Sequence, residues 1–345
     1  MYYRILIAIA LLGHSLSACS NEGLTIMYDQ TFEHVREIAK DEGKAFCIVL
    51  SRPDCSPCVT YIERIGEKYK HLGAKAVFNV VDVLLPENRW YQHWGCIIDF
   101  PTTCVFSSKG EFIAIVSGAA EIAMQCLESA LEGDTKCADY FYRRNYSVID
   151  EDYRMLLSTL LSCKIDLDNG IDIGHTIDAC LRNTHFPYPI YLKYLNEVTQ
   201  GRREEAVFWA HRLQEFDDVL FYQVYSDLYQ QTRYIINPDY RPEDSGILTV
   251  ESRVRLEDCM VNQPKLFSVT LTNTGKMPLM IHSINVGCTC LRVLGQRQFV
   301  VGAGESKSLD FEFTAESRGE FQRLITLFSD ATNSIEYVLV HAKAK

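Results

Sequence analysis

Residues 25–132 alternate between helical and strand-like hydrophobic patterns. Phe32, Val35, Ile38 and Ala39 fall on one face of a predicted helix, and residues 45–50 form an unbroken apolar run. The later patterns predict a helix over 59–69, a strand over 77–83, a hairpin over 102–106 and 112–116, and a helix over 122–131. Unbroken apolar strands between helices are typical of a sheet that is covered on both faces. We therefore expect an α/β domain.

Residues 138–235 lose the strand pattern and keep only helical spacing. Tyr153, Leu156, Leu157, Leu160 and Leu161 lie on one helical face. The same spacing predicts helices over 173–181, 191–198, 203–216 and 218–231. Helices of ordinary length with short joints are typical of stacked helical hairpins, so we expect an all-α region here.

A linker with Asn237-Pro238, Arg241-Pro242 and Ser245-Gly246 separates the helices from a strand-rich end of the chain. Strand patterns then fall at 248–254, 266–272, 279–286, 290–294, 308–314, 321–329 and 335–341. Short strands at this spacing, with turn residues between them, predict an all-β sandwich.

The amino terminus reads as an export signal. Arg4 precedes an apolar run at residues 5–12, which is too short to cross ~30 Å of hydrocarbon as a helix but suits the core of a secretory signal. Leu16-Ser17-Ala18-Cys19 follows and resembles a bacterial lipobox, which implies that Cys19 is acylated and becomes the first residue. The alternative is an ordinary signal with a chance cysteine. By analogy with known sorting rules, Ser20 favours the outer membrane, with the protein facing the periplasm.

Length and composition agree with an exported, multidomain, globular protein. The 345 residues are 47% hydrophobic and 23% charged, and domains usually stop growing near ~250 residues. The net charge of −11, without a Lys/Arg-rich block, excludes a typical nucleic-acid binder. We expect a signal at 1–18, an α/β domain at 19–133, a helical domain at 134–236, a linker at 237–246 and a β-sandwich at 247–345.

Two tight pairs stand out among the 13 cysteines. They are Cys55/Cys58 and Cys288/Cys290, whereas the other cysteines lie singly in apolar runs. A single cysteine in such a run usually behaves as a small buried hydrophobe. Disulfides can form in an exported protein, so the two pairs are the candidates for thiol chemistry.

Cys55-Ser56-Pro57-Cys58 lies between a predicted strand and a predicted helix. At a helix amino terminus, unpaired N–H groups and the helix dipole favour a thiolate at the first cysteine. The second cysteine, one turn later, can resolve a mixed disulfide. Half of a zinc site and a structural thiol pair are the alternatives. Zinc needs about four ligands, and no second C-x-x-C or H-x-x-x-H motif lies nearby.

With this motif, residues 25–132 resemble the thioredoxin family. Phe100-Pro101-Thr102 opens a late predicted strand, 43 residues after Cys58, and Lys109-Gly110 follows in the hairpin. The resemblance implies that Pro101 is cis and packs beside the cysteines. It also implies that Phe100 and Thr102 are substrate-facing neighbours, whose backbone pairs with an extended substrate.

The chain departs from the thioredoxin pattern at two positions. Val49, six residues before Cys55, stands where the family has an acid that is thought to help deprotonate the second cysteine. Asp54 stands where tryptophan is common, and its carboxylate disfavours the Cys55 thiolate. Both changes suggest a slower or specialised exchange partner.

The C-terminal region resembles a bacterial immunoglobulin-like family of unknown function, which often occurs in exported lipoproteins of Bacteroidota. The likeness rests on Val269-Thr270-Leu271-Thr272-Asn273-Thr274-Gly275, Gly287-Cys288-Thr289-Cys290 and the later turns. In a regular strand, Cys288 and Cys290 would point to the same face, and a bridge between them would strain the backbone. We therefore expect two thiols, or bridges to other cysteines, with structural, redox and metal roles all open.

These patterns give two functional hypotheses. The first is a lipid-anchored thiol–disulfide oxidoreductase of the cell envelope, in which Cys55 attacks, Cys58 resolves, and Pro101 positions the backbone of a partner protein that carries thiols or disulfides. No dissociable cofactor or metal is implied, because the cysteines carry the electrons. The alternative is a non-enzymatic envelope binding or scaffold protein with a retained thioredoxin fold.

Overall fold

A computed structural model of the chain describes residues 23–52, 55–145, 153–182, 186–216 and 219–345. The predicted signal, the lipidation site at Cys19, and Asp54 lie outside these residues. Across the described ranges the protein is multidomain and mixed α/β, with a C-terminal region rich in β-sheet. None of the described helices is both long enough and apolar enough to cross a membrane.

The N-terminal sheet has five strands in the order β1-β3-β2-β4-β5. Strands β1, β3 and β2 pair in parallel, and β4 and β5 add an antiparallel hairpin at one side. The strands are β1 Ile26–Tyr28, β2 Ala45–Ser51, β3 Ala76–Asp82, β4 Thr102–Phe106 and β5 Phe112–Ser117. All but the short β1 were predicted from the apolar runs. The central position of β2 explains why its sequence is apolar on both faces.

Helices cover both faces of this sheet, as predicted. They are α1 Phe32–Glu42, α2 Ser56–Glu67, α3 Arg89–Gly95 and α4 Glu121–Leu131. Alternate residues of β2 separate the two cores: Phe46 and Ile48 pack on the side of α1 and α3, whereas Cys47 and Val49 pack on the side of α2 and α4. The sequence prediction missed helix α3 because its 7 residues make only about two turns, too few for the apolar spacing to repeat.

The following helices are α5 Lys136–Asn145, α6 Tyr153–Asp168, α7 Gly174–Leu181, α8 Tyr188–Thr199, α9 Arg203–Gln214 and α10 Val219–Ile236. Of these, α5 packs in the core on the α2 and α4 side, and the later ones continue the core on the α1 and α3 side. All except α5 were predicted. Trp94 of α3 is fully buried, and its Nε1 donates a hydrogen bond to the carbonyl of Leu157 at 2.8 Å. The helices therefore build on the sheet rather than on a separate core.

The C-terminal region contains two sheets that enclose a common core. Their strand orders are β10-β12-β8-β6 and β11-β9-β13-β14-β7. The strands are β6 Leu248–Val250, β7 Arg253–Cys259, β8 Pro264–Asn273, β9 Leu279–Asn285, β10 Leu291–Leu294, β11 Phe299–Val301, β12 Ser306–Thr314, β13 Gly319–Ser329 and β14 Ile335–Ala344. The strand predicted over 248–254 is in fact two strands in different sheets, because the chain crosses between the sheets at residues 251–252.

Helix α10 connects the N-terminal sheet to the C-terminal sheets. Asp227 of α10 lies 3.0 Å from Arg89 Nε and 3.1 Å from His93 Nε2, both on α3. On the other side of α10, Gln223 Nε2 donates to Ser283 Oγ of β9 at 2.9 Å. Burial alone would raise the pKa of Asp227, but the attraction and hydrogen bond of His93, together with the charge of Arg89, hold this pKa well below its usual value. A paired carboxylate thus fixes α10 against α3.

Candidate functional site

Cys55 is the N-cap of helix α2, which begins just after the central strand β2. Its backbone is extended, with φ −86° and ψ 93°, and its Sγ accepts a hydrogen bond from the N–H of Cys58 at 3.2 Å. Pro57 occupies the first turn, where a missing N–H costs nothing. The predicted strand-to-helix junction is therefore confirmed, and one N–H of the helix amino terminus, that of Cys58, points at the first sulfur.

Cys55 and Cys58 form a disulfide with their Cα atoms 5.2 Å apart. Cys55 is half-buried, whereas Cys58 has no exposed surface. A nucleophile approaching from solvent can therefore reach the first sulfur and not the second. This asymmetry matches the roles of attacking and resolving cysteine that the sequence suggests.

The segment that precedes β4 lies against the first sulfur. The Phe100–Pro101 peptide bond is cis, as the resemblance to thioredoxin implied, and the Phe100 carbonyl oxygen lies 3.7 Å from Cys55 Sγ. Pro101 is buried, and its carbonyl accepts a hydrogen bond from Gly118 N–H at 2.8 Å. The structure thus brings Cys55, Cys58, Phe100 and Pro101 together.

Thr102 directly follows Pro101, and its hydroxyl contacts the Asp99 carbonyl and Ser117. It is fully buried, and its Oγ1 donates to the Asp99 carbonyl at 2.8 Å and lies 3.0 Å from Ser117 Oγ. Its backbone sits within the sheet, between Leu50 of β2 and Ser117 of β5. Phe100, which lies outside β4, is therefore the more open of the two predicted neighbours of the proline.

The position six residues before Cys55 carries Val49 and no acid. The side chain is fully buried in β2, with Val80 and Thr103 as its strand neighbours. Tyr61 of α2 packs in the same core, and its hydroxyl is 2.7 Å from Thr103 Oγ1. Protons that reach or leave Cys58 therefore have no carboxylate at the position of Val49 to accept them.

Arg52, which the sequence reasoning missed, connects the cysteine site with the C-terminal sheets. Its guanidinium carbon lies 5.5 Å from the centre of the Phe100 ring, within cation–π range. A Cβ atom placed on Gly287 would lie 3.5 Å from Nη2 of the same guanidinium. Only the position of Arg52 in the loop before Cys55 hinted at this role, and no local pattern predicts contact with a residue so distant in sequence.

The expectation of two thiols at Cys288 and Cys290, or of bridges from them to other cysteines, is wrong. The two sulfurs form a disulfide, with the Cα atoms 5.3 Å apart. The premise of a regular strand fails, because these residues occupy a turn between β9 and β10. Gly287 opens this turn at φ +66°, and Arg323 Nε donates a hydrogen bond to Cys290 Sγ at 3.0 Å.

A third disulfide joins Cys126 of α4 to Cys137 of α5, with the Cα atoms 5.2 Å apart. The expectation that these two were isolated apolar thiols is therefore also wrong. Six other cysteines are buried outside disulfides, as predicted: Cys47, Cys96, Cys104, Cys163, Cys180 and Cys259. Burial raises the pKa of the Cys180 thiol to about 11 and that of Cys163 to about 12, which keeps them protonated near neutral pH.

Other chemistry has little support in the described part of the chain. No group of three or more His, Cys, Asp or Glu side chains is placed there to hold a metal ion. A polar cleft of about 510 Å³ lies between α10 and the C-terminal sheets, lined by residues such as Gln223, His282 and Arg297. No cysteine lines this cleft, so the cysteine site is the better candidate for chemistry.

Comparison with known proteins identifies only the C-terminal region. Residues 248–344 match a family described as "Protein of unknown function (DUF1573)", which supports the predicted likeness of this region to a family of unknown function. No curated protein matches the chain.

Three solved structures are similar to parts of the chain. A protein of unknown function from Porphyromonas gingivalis W83 is 17% identical over 31% of this chain and 50% of its own, with a TM-score of 0.28. Poplar thioredoxin h is 18% identical over 32% of this chain and 98% of its own, with a TM-score of 0.28. The PapD-like domain 7 of human CEP192 is 6% identical over 31% of this chain and 89% of its own, with a TM-score of 0.26. This chain spans half the length of the Porphyromonas protein, and at such low TM-scores we base no conclusion on these likenesses.

Proposed function

We propose that the protein is a lipid-anchored thiol–disulfide oxidoreductase of the cell envelope that acts on partner proteins with thiols or disulfides. The observation that carries the proposal is the position of Cys55. Its half-buried sulfur caps α2, is bonded to the buried Cys58, and lies 3.7 Å from the carbonyl of the cis Phe100–Pro101 peptide. The pair carries the electrons itself, so the proposal needs no dissociable cofactor.

The exchange step follows from this geometry. A substrate thiolate attacks Cys55 Sγ, a substrate–Cys55 disulfide forms, and the Cys55–Cys58 bond breaks with Cys58 leaving as a thiolate. A second substrate thiolate then attacks the substrate sulfur and releases Cys55. Two electrons pass from the substrate to the pair, and the reverse sequence reduces a substrate disulfide. The N–H of Cys58 and the α2 dipole stabilise the Cys55 thiolate.

The proposal also assigns folds and boundaries. We propose a thioredoxin-like domain at 19–133, helical hairpins at 134–236, a linker at 237–246 and an immunoglobulin-like sandwich at 247–345. The sheet order β1-β3-β2-β4-β5 with the cis Phe100–Pro101 bond supports the first assignment. The two sheets around one core support the last.

Anchoring through Cys19 rests on Leu16-Ser17-Ala18-Cys19. We propose that the signal at 1–18 is removed and that the lipid holds the protein at the outer membrane, facing the periplasm. Cys19→Ala should release the protein from the membrane fraction after cell lysis. The mutant in the membrane pellet with the mass of the unprocessed chain would instead indicate an uncleaved anchor.

A non-enzymatic binding or scaffold role is the alternative, and Val49 favours it. This buried valine stands where thioredoxins have an acid, so Cys58 lacks the usual proton acceptor. A redox titration of the purified chain separates the two hypotheses, with alkylation and mass spectrometry as the readout for Cys55 and Cys58. An oxidoreductase should titrate between about −120 and −300 mV, the range of known exchange proteins. A pair that stays oxidised throughout this range favours the scaffold.

A further inference from the structure

We propose that Cys288–Cys290 is a second redox-active pair that exchanges electrons with Cys55–Cys58 within one chain. This inference rests on the proposed function, because it needs the first pair to react. It starts from the contact between the turn that carries Cys288 and the loop that carries Cys55.

A short series of contacts leads from one pair to the other. Cys55 Sγ lies 3.7 Å from the carbonyl of Phe100, and the ring of Phe100 lies 5.5 Å from the guanidinium carbon of Arg52. Arg52 Nη2 would be 3.5 Å from a Cβ atom on Gly287, and Gly287 directly precedes Cys288. The side chain of Arg52 therefore contacts Phe100 of the first site on one side and the turn of the second pair, at Gly287, on the other.

The two pairs share the same asymmetry of exposure. Cys288 is half-buried, whereas Cys290 is 9% exposed. Cys55 and Cys58 show the same order, with an accessible first sulfur and a buried second one. In both pairs, the first cysteine is the one that an incoming thiolate can reach.

Arg323 provides a reason for Cys290 to be the leaving group. Its Nε–H lies 3.0 Å from Cys290 Sγ, and its guanidinium also lies over the Phe321 ring, 5.3 Å from the centroid. A fixed positive charge beside a sulfur stabilises the thiolate, as it does in reactive cysteines generally.

The fold keeps the two pairs in the same neighbourhood. The turn with Cys288 follows β9, which Gln223 of α10 binds through Ser283 at 2.9 Å. Helix α10 is fixed to α3 by the Asp227 contacts with Arg89 and His93. The C-terminal turn is therefore held against the N-terminal domain rather than left at the end of a loose linker.

The proposed exchange passes through a mixed disulfide between Cys55 and Cys288. A partner protein dithiol first reduces Cys55–Cys58, and the Cys55 thiolate then attacks Cys288 Sγ. The Cys288–Cys290 bond breaks, a Cys55–Cys288 bond forms, and Cys290 leaves as a thiolate beside Arg323. Cys58 then loses its proton to water, attacks Cys55 as a thiolate, re-forms the first disulfide and releases Cys288, which takes up a proton from water. Two electrons have moved from the first pair to the second.

A matched pair of double variants of the full chain tests this contact. Cys58→Ser with Cys290→Ser leaves Cys55 and Cys288, whereas Cys58→Ser with Cys288→Ser leaves Cys55 and the buried Cys290. Both are incubated in a glutathione redox buffer, digested without reduction, and analysed for linked peptides at several protein concentrations. We expect a Cys55–Cys288 link whose yield does not depend on concentration, and several-fold less Cys55–Cys290 link. No Cys55–Cys288 link, or equal yields in the two variants, would overturn the proposal.

A kinetic measurement on less perturbed chains gives a second test. One equivalent of dithiothreitol is added to the oxidised native chain and to Cys55→Ser, and reduction of Cys288–Cys290 is followed by alkylation and mass spectrometry. Reduction should be several-fold slower in Cys55→Ser, because the first pair no longer relays electrons. Equal rates would rule out the relay. If the rates are equal but Cys55–Cys58 of the native chain still titrates, only the relay is ruled out. If the rates are equal and Cys55–Cys58 does not titrate, the proposed function is ruled out as well.

Discussion

The two disulfide turns at Cys55–Cys58 and Cys288–Cys290 have similar exposure but different backbone settings. The first begins a helix, so the N–H of Cys58 and the dipole of α2 act on the sulfur of Cys55. The second lies in a turn between strands, where no helix dipole acts, and the cation of Arg323 contacts the sulfur of Cys290 instead. One turn therefore favours negative charge at its accessible sulfur and the other at its buried sulfur, and the proposed transfer uses Cys55 as the attacking group and Cys290 as the leaving group.

The largest expected effect separates the two cysteines of the first turn. Cys58→Ser should trap mixed disulfides with envelope proteins, because the attacking thiol is kept and the resolving thiol is lost. Cys55→Ser is the matched control and should trap few, since Cys58 has no exposed surface. Non-reducing gels of cells that express each variant would measure this. Adducts of equal abundance, or none with either variant, would contradict the assigned roles.

The second effect concerns what holds the two turns together. Asp227→Asn removes the carboxylate that binds Arg89 and His93, and should lower the free energy of unfolding by roughly 3 kcal/mol. The yield of the Cys55–Cys288 link should fall with it. Asp178→Asn is the control, because Asp178 is exposed and its partner Lys193 keeps an ion pair with Glu197, so this change should have little effect.

The contribution of Asp227 also predicts a pH dependence of stability. Its pKa is lowered in the folded state, so the stabilisation is complete above the unfolded value of about 3.9 and is lost as the pH falls toward the folded value. Chemical denaturation of the native chain and Asp227→Asn at a series of pH values would measure this. The difference in the free energy of unfolding between the native chain and Asp227→Asn should shrink below about pH 4. A difference that does not change with pH would contradict this account.

Local sequence patterns predicted the setting of the first turn well and that of the second turn badly. Three local signals predicted the first setting. The apolar run predicted strand β2, the C-x-x-C spacing predicted the start of α2, and Phe100-Pro101 predicted the cis bond before β4. The prediction at Cys288 failed because it assumed a continuous strand, although Gly287 directly before the pair was a sign of a turn. The Cys126–Cys137 bridge was missed because the two cysteines lie 11 residues apart on different helices, and no local pattern links them. Contacts such as Arg52 with Gly287 join residues from different domains, and no pattern in either segment contains them.

The third effect tests whether the second turn depends on its glycine. Gly287 has φ +66°, a left-handed conformation that costs other residues about 1 kcal/mol or more. Gly287→Ala should therefore lower the free energy of unfolding by about this amount. Gly66→Ala, in α2 with open space around it, is the control and should leave stability unchanged or raise it. Denaturant titration measures the free energy of unfolding of both variants. Equal effects of the two substitutions would show that the left-handed backbone of Gly287 does not contribute to stability.

The smallest effect concerns the charged residues beside the two pairs. The first turn carries the acid Asp54 directly before Cys55, whereas the second places the cation of Arg323 at Cys290. Asp54→Asn should raise the alkylation rate of reduced Cys55 near neutral pH a few-fold, because removing a neighbouring negative charge favours the thiolate. Asp54→Glu keeps the charge and should react like the native chain. Iodoacetamide kinetics over a pH series on the reduced chains would measure both, and a full unit of pKa corresponds to about 1.4 kcal/mol. If Asp54→Asn and Asp54→Glu react at the same rate, the acid does not tune Cys55, and the difference between the two turns rests on the α2 dipole and Arg323 alone.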